Sequence, residues 1–368
     1  MIQLIPKILS YQMFRRFGFP RLLPLNLTVS VSYRCNSKCK TCNVYKRKVE
    51  EFTFEEFDKV FQSIGTAPYW VTISGGEPFL RKDIVGICKS VYLRLRPKII
   101  NIPTNGILSN IIPSRVEKIA ANSPDSQIIV NLSLDAIGEE HDEIRNVKNN
   151  YVQALKTYNA LKNLNCDNLT VGIHTVISKF NVHRFKHIYE ELSKLNPDSY
   201  ITEIAEERVE LGTIGKNITP SNQDYFAAID FLSKKIMTHE YKGISQITQA
   251  FRMRYYKLVK QILSEKRQIL PCYAGFISAH IDPGGEVWAC CIKAESMGNL
   301  RNVNYDFKKV WYSSEAEKKR KPIKEKQCYC PLANASYTNM LVSYSTMAKV
   351  LLDIGSKKAK SYFTGTRG

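Results

Sequence analysis

Between residues 25 and 205 the sequence repeatedly sets a short, apolar, β-branched run before a longer segment of helical period. Leu25–Tyr33, Trp70–Ser74, Ile99–Pro103, Gln127–Leu134, Leu169–Ile177 and Tyr200–Ala205 read as strands. Thr53–Gly65 reads as the first intervening helix: Thr53 and Glu56 form a capping box, Phe54, Phe57, Phe61 and Ile64 share one face, and Gly65 ends it. Asp83 is expected to cap a helix through Leu95, and Ser114 to open one to Ala121. Val152–Leu164 and Val182–Leu195 complete the set. Strand-then-helix units in series imply an α/β fold with parallel strands joined by right-handed crossovers. In such arrangements chemistry gathers at the C-terminal ends of the strands.

Each such end carries something unusual. After the first strand, Cys35, Cys39 and Cys42 place three thiols within eight residues. A [4Fe–4S] cluster normally takes four cysteines, so three leave one iron open to another ligand. Zinc also accepts thiolates, but structural zinc favours four closed ligands. A chain of this size with no signal peptide reads as cytosolic and reduced, which disfavours disulfides. After the second strand comes Ser74-Gly75-Gly76-Glu77-Pro78-Phe79, after the third Thr104-Asn105-Gly106, and at the end of the fourth Ser133 and Asp135. Taken singly, each is also ordinary turn chemistry.

The cysteine triplet on the first loop together with the Gly-Gly-Glu-Pro turn after the second strand resembles the radical S-adenosylmethionine (radical SAM) enzymes, over about residues 25–205. Many members carry an aromatic residue before the third cysteine, where this chain has Thr41. The resemblance implies a partial (β/α)6 TIM-like barrel with a small C-terminal Fe–S cluster domain. It implies that Cys35, Cys39 and Cys42 hold a [4Fe–4S] cluster whose open iron chelates S-adenosylmethionine. One electron then yields methionine and a 5′-deoxyadenosyl radical, which takes hydrogen from a substrate. By the same resemblance Ser74, Gly75, Gly76, Glu77 and Pro78 contact the methionine ammonium, with the glycines admitting the cofactor to the backbone. Thr104, Asn105, Ser133 and Asp135 contact ribose and carboxylate, and a flavodoxin- or ferredoxin-type protein supplies electrons. His141 and Arg145 read equally as surface residues or as substrate contacts.

A second constellation follows. Cys272, Gly285 with Cys290 five residues later, then Cys328 and Cys330 resemble a shortened SPASM/Twitch-like auxiliary-cluster domain holding a second [4Fe–4S] cluster. Cys291 competes with Cys330 for the last ligand place, and zinc stays open as an alternative. Pro283-Gly284-Gly285 is a hairpin signal, so Cys272 and Cys290 are expected to bracket a two-stranded ribbon. Cys88 and Cys166 read as buried small hydrophobes.

The expected divisions are a basic segment (1–24), the barrel (25–205), a helical linker or substrate region (206–265), the auxiliary domain (266–335) and an amphipathic tail (336–368). In the tail Met340, Tyr344, Met347, Leu351 and Ile354 form a stripe before Lys357, Lys358 and Lys360. Hydrophobic content of 44% excludes wholesale disorder. No apolar run reaches the roughly 18 residues that span a bilayer. A net charge of +19 favours anionic partners: RNA, anionic lipid headgroups, or phosphorylated or nucleotide-linked substrates. The expected substrate is anionic, peptide or membrane-proximal, and the expected location cytoplasmic, with peripheral membrane contact. An RNA-modifying radical enzyme and a non-catalytic Fe–S or zinc electron-transfer protein are the alternative functions.

Overall fold

A computed structural model describes residues 5–238 and 244–363. The chain forms two compact units, 21–220 with 274–321, and 1–20 with 221–273 and 322–368. The expected auxiliary segment 266–335 is therefore divided between them.

The larger unit is built on one nine-stranded sheet. Its strands are β1 (Asn26–Ser32), β2 (Trp70–Gly75), β3 (Ile99–Thr104), β4 (Gln127–Ser133), β5 (Leu169–Ile177), β6 (Ser199–Ile204), β7 (Ser278–Ile281), β8 (Glu286–Trp288) and β9 (Ser296–Asn299). The spatial order is β6-β5-β4-β3-β2-β1-β7-β8-β9, and β1 to β6 pair in parallel. This is the partial barrel that the family resemblance implies. Helices Phe54–Ile64, Ile84–Leu95, Ile112–Ala121, Asn150–Lys162 and Phe185–Ser193 make the crossovers, with Gly138–Arg145 inserted after β4. Val71, Ile73, Ile100, Ile102, Ile128 and Val130 form the buried apolar face beneath them. Alternate positions are polar: Asn131 Nδ2 donates to Asn101 Oδ1 at 2.9 Å on the neighbouring strand.

Several local expectations are corrected. The third crossover helix begins at Ile112 rather than Ser114, because Pro113 presets the first turn. Asp83 makes no side-chain cap; Arg81 claims its carboxylate at 2.6 and 2.8 Å. Cys272 and Cys290 do bracket a two-stranded ribbon, β7 and β8, but β9 adds a third strand beyond Cys290 and β7 pairs in parallel with β1. The ribbon thus extends the barrel sheet instead of forming a separate module. It does so because β1 would otherwise be an open edge.

The smaller unit is helical, with Ile5–Phe17, Asn222–Thr238, Ile244–Glu265, Ala333–Leu341 and Tyr344–Phe363. Tyr255 stacks on Tyr337 at 4.9 Å and donates to the Pro331 carbonyl. The expected tail stripe is broken at Val342 into two helices, and its faces are reassigned. Val350 and Thr346 are buried, whereas Tyr344, Leu351 and Leu352 are exposed. The side chains of Ile354, Lys357, Lys358 and Lys360 lie outside those described, as do residues 1–4 of the basic segment. Among the described residues no helix is long and apolar enough to cross a membrane.

Candidate functional site

The cysteine loop leaves β1 through a bulge between Ser30 and Ser32. Its backbone is tied at three points. Lys38 N donates to the Arg145 carbonyl, Lys40 N to Ile144 and Asn43 N to Leu211. Cys39 is buried, and Cys35 and Cys42 are half-buried. Ser37 N donates to Cys35 Sγ at 3.4 Å, Asn105 Nδ2 stands 3.9 Å from the same sulfur, and Arg145 Nη1 stands 3.7 Å from Cys39 Sγ. Donors directed at sulfur favour the thiolate. Without metal, burial pushes the Cys35 thiol up to about 11 and Cys42 to about 12, and the neighbouring sulfurs raise both further. Only a nearby cation reverses that penalty. Three clustered thiols with sulfur-directed donors fit a cluster held by three cysteines.

The Gly-Gly-Glu-Pro turn locks this loop. A Cβ on Gly75, whose φ is +124°, would lie 2.1 Å from the Ser32 carbonyl, and one on Gly76 would lie 2.2 Å from Arg34 O. Both glycines therefore allow the close approach of β2 to the backbone leading into the cysteines. Gly76 N donates to Ser32 O and Glu77 N to Arg34 O. Pro78 then starts a short 3-10 turn. Glu77 is 1% exposed and accepts from Thr104 Oγ1 and Asn105 N, both at 2.8 Å, and from Phe79 N at 3.2 Å. Burial outweighs these donors and pushes its carboxyl up to about 7. Asn105 Nδ2 in turn donates to Asn36 Oδ1 at 2.7 Å. The ends of β2 and β3 thus hold the cysteine loop through Glu77 and Asn105, while Ser74 and Ser133 sit half-buried on β2 and β4.

Asp135 lies just past the end of β4, with 1% of its surface exposed. Its carboxylate is buried, pairs with Arg145 Nη2 at 2.7 Å and accepts from Val176 N at 2.9 Å. His141 and Arg145, undecided in the sequence, both turn inward. His141 Nδ1 accepts from Asp135 N, and its other nitrogen lies 3.2 Å from Asn150 Oδ1. Burial lowers the His141 pKa to about 4, so the ring is neutral. The i to i+4 spacing of His141 and Arg145 was the signal for a shared inward face.

Three of the four expected auxiliary ligands, Cys272, Cys328 and Cys330, line one cavity in the helical unit. Gln268, which sequence reasoning missed, bridges them: Cys272 N donates to its Oε1, and its Nε2 donates to Cys328 O at 2.9 Å and stands 3.9 Å from Cys328 Sγ. Cys290 follows β8 in the larger unit. Cys291 sits with Glu210 and His280. Burial lowers the His280 pKa, against Glu210 and Asp282, which raise it. Cys88 is fully buried, as expected, while Cys166 is only half-buried.

Residues 29–192 match the radical SAM superfamily, and residues 272–331 match SPASM, an iron–sulfur cluster-binding domain. The antilisterial bacteriocin subtilosin biosynthesis protein AlbA of Bacillus subtilis is 25% identical over 291 residues, covering 77% of this chain and 59% of that one. Pre-heme d1 synthase of Dinoroseobacter shibae is 30% identical over 156 residues, covering 41% and 36%. The chain thus spans between about a third and three fifths of these relatives' lengths. Streptococcus suis SuiB, solved bound to the precursor peptide SuiA, superposes with a TM-score of 0.58 at 17% identity, covering 85% of this chain and 69% of that one.

Proposed function

We infer, for a chain that belongs to the radical SAM superfamily and carries a SPASM domain, an oxidoreductase that cleaves S-adenosylmethionine reductively and modifies a peptide. When bound, the cluster supplies one electron to the carbon–sulfur bond of S-adenosylmethionine, and the organic chemistry is the cofactor's. The chain's residues hold and orient. Cys35, Cys39 and Cys42 are the iron ligands, with Ser37 N–H, Asn105 and Arg145 against two of their sulfurs. The segment Ser74–Pro78 receives the methionine ammonium, and Thr104, Asn105 and Ser133 flank the nucleoside. Arg145 Nε, buried without a hydrogen-bond partner among the described residues, takes the methionine carboxylate. Asp135 positions Arg145 rather than touching ribose.

The observation that carries this reading is the convergence of Asn105 and Arg145, from the ends of two different strand–helix units, on the sulfurs of Cys35 and Cys39. A zinc or electron-transfer site has no need of an open corner. Cys272, Cys328 and Cys330 are ligands of the auxiliary [4Fe–4S] cluster. The peptide assignment is supported by the bacteriocin-biosynthesis relative and by the fold shared with a protein solved on its precursor peptide. The +19 charge suits an acidic leader segment in such a peptide.

Anaerobically reconstituted, dithionite-reduced protein given S-adenosylmethionine should form 5′-deoxyadenosine. The Cys35→Ala/Cys39→Ala/Cys42→Ala protein should form none. Iron-loaded wild type that yields no nucleoside, or a triple variant that yields as much, overturns the assignment.

A further inference from the structure

We propose that Glu210, His280 and Cys291 bind a single divalent metal ion of the zinc type, using none of the cysteines assigned to the iron–sulfur clusters. One ligand atom from each residue lies within 4.8 Å of the other two. Glu210 Oε1 stands 3.5 Å from His280 Nε2, long for a hydrogen bond. Two ligands at about 2.0–2.3 Å from a tetrahedral ion stand about 3.3–3.8 Å apart, so that pair already has the spacing of a shared ion.

The backbone fixes the three donors. Glu210 N donates to the Cys291 carbonyl at 3.3 Å, and Val209 N to Ile292 at 3.0 Å. His280 lies on β7, register-paired with Trp288 on β8, and its ring packs on that indole at 4.9 Å. Arg47 Nη1 holds the Glu210 carbonyl at 3.1 Å. Ser30 Oγ lies 2.9 Å from His280 Nε2 in the metal-free protein, a hydrogen bond that an ion taking that nitrogen would replace. The buried guanidinium of Arg208 lies 3.5 and 3.9 Å from Glu203 and Glu206 and also acts electrostatically on Cys291 and Glu210.

Sulfur, imidazole and carboxylate together match zinc's preferences, and three protein ligands leave a fourth position for water or a substrate donor atom. On binding, the Cys291 thiol releases its proton to solvent as the sulfur–metal bond forms, with no redox change. Glu210 is close enough to the cysteine loop to act electrostatically on Cys42. A donor atom held at the open position would therefore be presented beside that loop. Of the two adjacent cysteines, Cys291 serves this ion and Cys290 takes no part in it.

The test loads anaerobically reconstituted full-length protein with Zn2+, dialyses it, and measures zinc and iron together. Wild type should retain one zinc per chain beyond its iron. Glu210→Gln, His280→Gln and Cys291→Ala should each weaken zinc retention by about tenfold or more with iron unchanged. X-ray absorption at the zinc edge should show one sulfur among nitrogen and oxygen neighbours. Zinc surrounded by several sulfurs, or retained equally by all three variants, overturns the site. So does iron lost in Cys291→Ala while zinc stays. Glu210→Gln, nearly isosteric, keeps the test decisive should the cysteine variant misfold.

Discussion

Arg145 Nη1 stands 3.7 Å from Cys39 Sγ, at the end of the helix that follows β4. The same guanidinium pairs with Asp135 at 2.7 Å, so a strand end sets the position of a charge against a cysteine sulfur. Removing one partner of such a buried pair strands the other, at a cost of roughly 3–5 kcal/mol. Asp135→Ala should therefore lower the unfolding free energy by about that much and reduce iron uptake at the loop. Chemical denaturation and iron analysis check both; unchanged stability would mean Asp135 does not hold Arg145.

Glu77 makes a pH prediction. Its folded carboxyl is raised from 4.5 to about 7, so between those values the folded chain keeps a proton that the unfolded chain has released. Stability should fall as pH rises through this window, by on the order of 3 kcal/mol for metal-free protein. Glu77→Gln should flatten that dependence. Urea midpoints at pH 5 and pH 8 for both proteins are the measurement, and parallel slopes would contradict it.

Gly75→Ala should be more damaging than any surface substitution. The new Cβ would meet a carbonyl oxygen at 2.1 Å in a φ region L residues avoid, and neither backbone segment can yield without moving the cysteine loop. A loss of roughly 3 kcal/mol or more is expected, read as a fall in unfolding midpoint and in iron per chain. Wild-type iron content in this variant would show the approach to be slack.

Much of this was legible in the residues. The Thr53–Glu56 capping box and the Gly65 stop occur as the local pattern dictates, because each uses atoms within one turn. The parallel pairing of β1 to β6 followed from the alternation of strands and helices. What escaped the sequence depends on partners far along the chain. Arg81 withdraws Asp83 from its cap, Gln268 reaches residues about sixty positions later, and β7 is captured by β1 across some 250 residues. The tail stripe misled for a related reason. Its period was helical, but the face that packs is chosen by the neighbour, here including the Arg254–Asp353 pair at 2.7 Å.

The exposed flank of the cysteine loop carries Arg34, Lys38, Lys40, Lys46 and Lys48. Such a surface suits an acidic flavodoxin-type donor through charge steering. Lys38→Glu/Lys46→Glu should slow flavodoxin-driven 5′-deoxyadenosine formation by about tenfold at low salt. Dithionite-driven formation should stay unchanged. An equal effect on both reductants would place these lysines in the chemistry rather than the encounter.

The most direct test uses the Cys272→Ala/Cys328→Ala/Cys330→Ala protein, which should keep about four irons, all on the loop of Cys35, Cys39 and Cys42. Reduced and frozen, it should give an electron paramagnetic resonance signal that shifts when S-adenosylmethionine is added, because the cofactor takes the iron no cysteine holds. A cluster signal of full intensity that ignores the cofactor would contradict the open iron at that loop.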